Sequence, residues 1–192
     1  NTATVFAILA AALYAINIPL SKMLLVHVSP TMLAAFLYLG AGVGLLLYRG
    51  VYRMAGRSSS QEPLTRKELP FTVAMVALDI AAPILLMLGL THTSSANASL
   101  INNFEIVATS LIALFFFQGG APPKAWLAIV LVTLASVILS FEGEGSLVWN
   151  EGSLLVLGAC VCWGVENNCT KMLSSKSSVE IVIIKGIFSG LG

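Results

Sequence analysis

Charged side chains are scarce in this sequence. Asp, Glu, Lys and Arg make up 10% of its 192 residues, whereas a soluble domain carries about 25%. Hydrophobic residues make up 57%, and the mean hydropathy is +0.92. The composition excludes an ordinary soluble domain and predicts an all-α membrane protein, a polytopic helical bundle. No basic run interleaved with aromatic residues is present, so we expect no nucleic-acid partner.

Residues that build metal, disulfide and catalytic sites are few. Cys160, Cys162 and Cys169 lie in one apolar segment, and their odd number and C-x-C spacing favour packing over disulfides. His27 and His92 have no third ligand nearby, so we expect no metal site. No nucleophile elbow, zinc-binding helix or phosphate-binding loop occurs. We therefore expect no catalytic residues, no cofactor and no ATP-driven step.

Long apolar segments are abundant, and they define the expected membrane spans. The spans are predicted at residues 4–26, 32–48, 70–90, 94–117, 124–141 and 152–173, and a seventh begins at 179. Basic residues concentrate in the loop after the second span and the turn after the sixth, which predicts that both are cytoplasmic. The N-terminus is then cytoplasmic, in a multi-pass protein of the inner (plasma) membrane. Since the chain opens on Asn1 and stops within an apolar run, we expect a fragment of a longer protein.

The fourth span carries ionisable and amide side chains where lipid would favour apolar ones. Glu105 falls near the middle of residues 94–117, close to Asn102, and Asp79 has a similar depth in the third span. An ionisable group at the bilayer centre costs about 2.5 kcal/mol or more unless it faces protein or water. We expect the third and fourth spans to pair as antiparallel helices that line a polar pathway.

A shift of 149 residues aligns the first span with the sixth without a gap. It pairs Tyr14 with Trp163, Asn17 with Glu166, Ser21 with Thr170 and Lys22 with Lys171. Five spans separate equivalent points, so the second copy enters the membrane inverted, as in secondary transporters. We predict an inverted five-helix repeat, with a complete first copy at residues 1–145 and a truncated second copy at 151–192.

The runs AILAAALYAINIPLSKMLLVHVSPTMLAAFLY, LGLTHTSSANASLINNFEIVATSLIALFFFQGG and GSLLVLGACVCWGVENNCTKMLSSKSSVEIVIIKG resemble EamA-type members of the drug/metabolite transporter superfamily. The resemblance implies a ten-helix transporter built from two EamA repeats. The chain departs from the family pattern at Gln118, where members often carry Glu, and at Phe36, where many have Arg. Lys185 occupies the place corresponding to Phe36 in the second repeat and could face the cavity.

Polar and aromatic positions within the spans form the candidate substrate site. They are Glu105, Asp79, Asn102, Asn17, Tyr14, Trp163 and Glu166. For each, the competing interpretation is helix packing or a structural hydrogen bond, which polar groups in membranes also provide. Lys22 and Lys171 end their spans, where snorkelling of the ammonium group to the lipid headgroups explains them.

The expected function is secondary transport of a small organic metabolite or drug across the membrane by alternating access, in the direction of efflux. A nucleotide-sugar-type exchanger of the same superfamily is an alternative that would need basic cavity residues. An intramembrane enzyme using Asp79 and Glu105 as acid and base is a third. Two further partners stay open: a coupling proton and a second copy of the chain as a homodimer.

Overall fold

Most of the described chain is helical. A computed structural model describes residues 2–56, 62–116, 126–127, 129–131, 133–134 and 150–192. Its helices are α1 (Thr2–Leu24), α2 (Pro30–Met54), α3 (Leu69–His92), α4 (Ser95–Asn102), α5 (Phe104–Phe116), α6 (Glu151–Met172) and α7 (Ser178–Ile184). A 3-10 turn, Arg66–Glu68, precedes α3, and a π-helical turn, Lys185–Ser189, follows α7. These residues contain no β-strand, which confirms the predicted all-α class.

Four helical segments of the described chain are long and apolar enough to cross a membrane: Thr4–Leu24, Pro30–Met54, Arg66–His92 and Ser95–Phe116. The protein is therefore a polytopic membrane protein. Helix α6, predicted as the sixth span, is not among these four although its 22 residues would reach about 33 Å. The run Glu166-Asn167-Asn168 lowers its mean hydropathy, and Glu166 and Asn168 are buried against other helices.

The ends of the helices follow from capping side chains. Ser29 Oγ accepts a hydrogen bond from Met32 N before Pro30 opens α2, and Ser94 Oγ accepts one from Asn97 N at 3.1 Å. Asn150 Oδ1 accepts one from Ser153 N at 2.9 Å at the start of α6. Each acceptor satisfies a backbone N–H that has no partner within its helix.

Helix α6 lies between α3 and α5 and packs against both. A Cβ built on Gly152 would lie 2.6 Å from the backbone oxygen of Gly89 in α3, and one built on Gly164 would lie 3.0 Å from Ala108 in α5. These glycines let the backbones approach closely, as in helix pairs within membranes. The predicted pairing of the third and fourth spans is therefore wrong for α5, which α6 separates from α3, whereas α4, the first part of the fourth span, contacts α3. The physical reason is that small residues on α6 offer both neighbours a closer contact.

Helix α1 lies at the periphery of the described bundle. Most of its large apolar side chains are exposed, while Ile18 and Ser21 are buried. The ammonium group of Lys22 donates to the backbone oxygens of Leu90 and of Thr93, the latter at 2.8 Å. Lys22 thus binds the C-terminal end of α3, where carbonyls lack helical partners, instead of snorkelling to headgroups as predicted.

Helix α2 contacts α7 and the π-helical turn, and one of its glycines lies against the turn. A Cβ on Gly42 would lie 2.7 Å from the backbone nitrogen of Ile187, whereas nothing lies within 4 Å of a Cβ on Gly40 or Gly44. Of these three glycines, only Gly42 makes a close backbone contact, because the other two face away from the turn.

Two loops meet at the end of the bundle where α6 turns into α7. Ser177 N donates to Glu62 O at 3.0 Å, and the Lys176 ammonium lies 3.1 Å from Glu62 and 3.8 Å from Glu68. The Thr65 hydroxyl donates to Glu68 Oε2 at 2.6 Å. The hydrogen bond from Lys176 to Glu62 raises the pKa of the lysine. We name Glu62, Glu68 and Lys176 the loop clasp.

Several predicted segments differ from the structure or lie outside it. The predicted fourth span is interrupted at Asn103, between α4 and α5. The second span continues to Met54, past its predicted end at residue 48. Most of the fifth span lies outside the described residues, and so does Gln118. The inverted repeat stays a prediction.

Candidate functional site

A cavity of about 480 Å³ opens among the helices. Its lining includes Tyr14 and Asn17 from α1, Tyr38 from α2, Asp79 from α3, Glu105 from α5, Trp163, Glu166 and Asn167 from α6, and Lys185. This volume lies within the range of small-molecule sites, about 300–1,000 Å³. Ionisable groups inside a membrane bundle are costly and face protein or water-filled cavities. The cavity is therefore the candidate site of this protein.

The centre of the lining is a cluster of three charged residues: Asp79, Glu166 and Lys185. The Lys185 ammonium lies 2.8 Å from Glu166 Oε1 and 3.2 Å from Asp79 Oδ2. Asp79 and Glu166 are 1% and 2% exposed, so neither carboxylate is solvated from outside. Buried charges persist when they are paired and hydrogen-bonded. The lysine supplies that pairing for both, and we name the three residues the lysine cluster.

Two hydroxyl groups complete the lysine cluster. Tyr38 Oη donates to Asp79 Oδ1 at 3.0 Å, and Thr170 Oγ1 donates to Glu166 Oε1. Pro83, one turn after Asp79, lines the cavity too. Since proline has no N–H, it cannot donate to the backbone carbonyl of Asp79. The cluster therefore lies where α3 has lost an internal hydrogen bond.

The π-helical turn begins at Lys185 itself. Single π-helical turns insert an extra residue into a helix and are frequent at functional sites. Here the turn places Gly186 against the backbone of Gly42 on α2. The close backbone contact fixes Gly186, and the ion pairs fix the preceding residue, Lys185. The position of Lys185 is therefore set both by its backbone and by its side chain.

Glu105 occupies a separate part of the lining. Asn167 Nδ2 donates to Glu105 Oε1 at 2.9 Å and lies 3.2 Å from Thr109 Oγ1. Glu105 is in the first turn of α5, directly after the interruption at Asn103. The N-terminal end of a helix favours a negative charge. The break in the fourth span thus gives the carboxylate a stabilising backbone environment.

Tyr14 is oriented by an amide from α4. Asn102 Nδ2 donates to Tyr14 Oη at 3.1 Å, and Asn102 is buried while Tyr14 is 52% exposed. Asn102 does not itself line the cavity. It contacts the site through the tyrosine hydroxyl that it binds.

Six of the seven residues predicted as the site line this one cavity, and Asn102 is the exception. The structure brings together Tyr14, Asn17, Asp79, Glu105, Trp163 and Glu166. Sequence reasoning did not include Tyr38, Asn167 and Lys185 among the candidate site residues, although all three line the cavity. Lys185 carried a signal, since a lysine within the apolar run IVIIKGIF is unusual. Tyr38 carried none, because aromatic residues in apolar helices usually serve packing.

The model of the EamA-like transporter family matches residues 1–141 of the chain. The protein belongs to this family. An uncharacterized transporter of Methanothermobacter thermautotrophicus is 29% identical over 203 residues, an alignment that covers 100% of this chain and 57% of the relative. The chain thus spans little more than half the length of that relative. No solved structure matches this chain significantly. The family and the relative point to a transporter rather than an enzyme.

Proposed function

We propose that this EamA protein is a secondary transporter that carries a small organic solute across the membrane. The cavity carries the proposal: a volume of about 480 Å³ lined by four ionisable groups of the spanning bundle. Such groups are expensive in lipid and mark substrate pathways. Its lining comes from helices of both predicted repeats, which is where secondary transporters place their sites. Motion of one repeat against the other would expose the cavity to each side in turn.

The lining disfavours the nucleotide-sugar alternative. Among the described residues that line the cavity, three are carboxylates and one, Lys185, is a cation. A diphosphate-bearing substrate needs an excess of arginine or lysine around its phosphates. The efflux direction, a coupling proton and the cytoplasmic N-terminus belong to the proposal. The loop clasp supports placing the two loops predicted as cytoplasmic on one side of the membrane, since it brings both to one end of the bundle.

Flux through reconstituted protein tests the proposal. The full-length protein in proteoliposomes should accumulate members of a panel of labelled amines, amino acids and neutral metabolites above protein-free liposomes. Asp79→Asn, which unbalances the lysine cluster, should reduce this flux at least about tenfold. The matched control is Glu151→Gln, an exposed residue at the start of α6. Chemical conversion of a solute without its movement would contradict the proposal.

A further inference from the structure

The cavity lining has an excess of negative charge. With every group ionised, Asp79, Glu105 and Glu166 contribute three negative charges and Lys185 one positive charge, a formal sum of −2 for the described lining. Uncompensated carboxylates inside a membrane bundle are unstable. A bound species that carries positive charge would compensate them, and an anion would make the imbalance worse.

Lys185, which carries the positive charge of the described lining, is already ion-paired. Lys185 is shared by Asp79 and Glu166, at 3.2 Å and 2.8 Å. Both carboxylates are almost fully buried. Glu105 instead has a neutral partner, Asn167, and keeps partial exposure. Glu105 is therefore the carboxylate of the lining that is available to a cationic ligand.

Three aromatic side chains face the same space: Tyr14, Tyr38 and Trp163. The face of an aromatic ring attracts ammonium groups, and aromatic lining around a carboxylate is the usual recognition chemistry for organic cations. Most of the remaining lining is apolar, including Leu37 and Leu86. The chemistry of the lining thus combines an anionic anchor, aromatic faces and apolar walls.

We propose that the cavity binds an organic cation, an amine or ammonium compound with an apolar body, and that Glu105 is its anchoring carboxylate. The inference rests on the proposed transport function, because it names the substrate class of that same site. The ammonium group would lie against Glu105, and the apolar body would fill the space toward Tyr14 and Trp163. Lys185 would remain with the lysine cluster and exclude a second cation from it.

Three ligands of matched size test the charge selectivity: phenylpropylamine, phenylpropanol and phenylpropionate, which carry a positive, a neutral and a negative end group. Calorimetric titration of the full-length protein in detergent should show affinity in that order. The amine should bind about 10- to 100-fold more tightly than the alcohol. Glu105→Gln should remove most of that difference, while Glu151→Gln should leave it unchanged.

The wild-type comparison needs no variant, so a failure of Glu105→Gln to fold leaves the test intact. Equal affinity for the three ligands, or tighter binding of the carboxylate, overturns the inference. So does a folded Glu105→Gln protein that keeps the full preference for the amine. Flux of neutral or anionic solutes by a protein that does not prefer the amine would overturn the cation inference and leave transport standing. Absence of flux for every solute would instead contradict the proposed function.

Discussion

The ammonium group of Lys185 lies 3.2 Å from Asp79 Oδ2, and this ion pair joins the π-helical turn to α3. The same nitrogen lies 2.8 Å from Glu166 on α6. One side chain therefore connects three helical segments around the cavity. Because both acids are buried, the lysine is required for their charge balance as well as for the contact between helices.

Removal of Lys185 should destabilise the protein by leaving two carboxylates without their cation. Breaking a buried pair costs about 3–5 kcal/mol, and Lys185→Met should fall near the lower end, since the lysine side chain keeps 20% exposure. The free energy of unfolding in detergent measures this. Lys67→Met, at an exposed position, is the control.

The combined substitution Lys185→Met, Asp79→Asn and Glu166→Gln tests whether Lys185 stabilises the protein through its charge or through its packing. It removes the lysine together with both negative charges, so much of the lost stability should return. A triple variant as unstable as Lys185→Met alone would show that the lysine acts through packing and not through charge.

Gly42 should tolerate no side chain, in contrast to its neighbours on α2. A Cβ there would lie 2.7 Å from Ile187 N, so Gly42→Ala must push α2 away from the π-helical turn. Overpacking of this kind costs about 1–3 kcal/mol. Gly40→Ala and Gly44→Ala meet nothing within 4 Å and should be neutral or slightly stabilising, since alanine favours helix. Equal thermal unfolding temperatures for the three variants would contradict the close contact.

Lys22 and Lys171 occupy matched positions in the predicted repeat but have different surroundings. Lys22 donates to the carbonyls of Leu90 and Thr93 at the end of α3, whereas Lys171 is exposed. Hydrogen bonds from a charged donor contribute about 1.5–3 kcal/mol. Lys22→Met should therefore lower the free energy of unfolding by an amount in this range, and Lys171→Met by less than about 0.5 kcal/mol.

The positions of the spans could be predicted because hydropathy is a local property. Runs of apolar residues around Thr4–Leu24 and Pro30–Met54 identify helices without knowledge of their neighbours. Asp79 and Glu105 could be singled out for the same reason, since a carboxylate in such a run is costly wherever it lies. Both now line one cavity.

The neighbours of each helix could not be predicted in this way. Whether α3 meets α5 or α6 depends on small residues such as Gly89 and Gly152, whose effect appears only when two backbones approach. The partner of Lys22 could not be predicted from local sequence either. A lysine at a helix end is equally suited to headgroups and to the carbonyls of a neighbouring helix, and only the tertiary arrangement decides between them.

The loop clasp should respond to pH in a direction set by Lys176, whose ammonium group pairs with Glu62. The pKa of Lys176 is raised from 10.5, so its contribution is present below pH 10.5 and is lost as pH rises through the raised pKa. This contribution is therefore complete at neutral pH.

Lys176→Met tests this response. At pH 7 it should lower the thermal unfolding temperature of the full-length protein by roughly 1–2 °C, since pairs near the surface contribute little. The difference from wild type should shrink as pH rises above 10.5 and the wild-type lysine loses its proton. Lys171→Met, at an exposed lysine outside the clasp, should show no such convergence. A gap between Lys176→Met and wild type that stays constant from pH 7 into base would mean that the Lys176 charge does not stabilise the clasp.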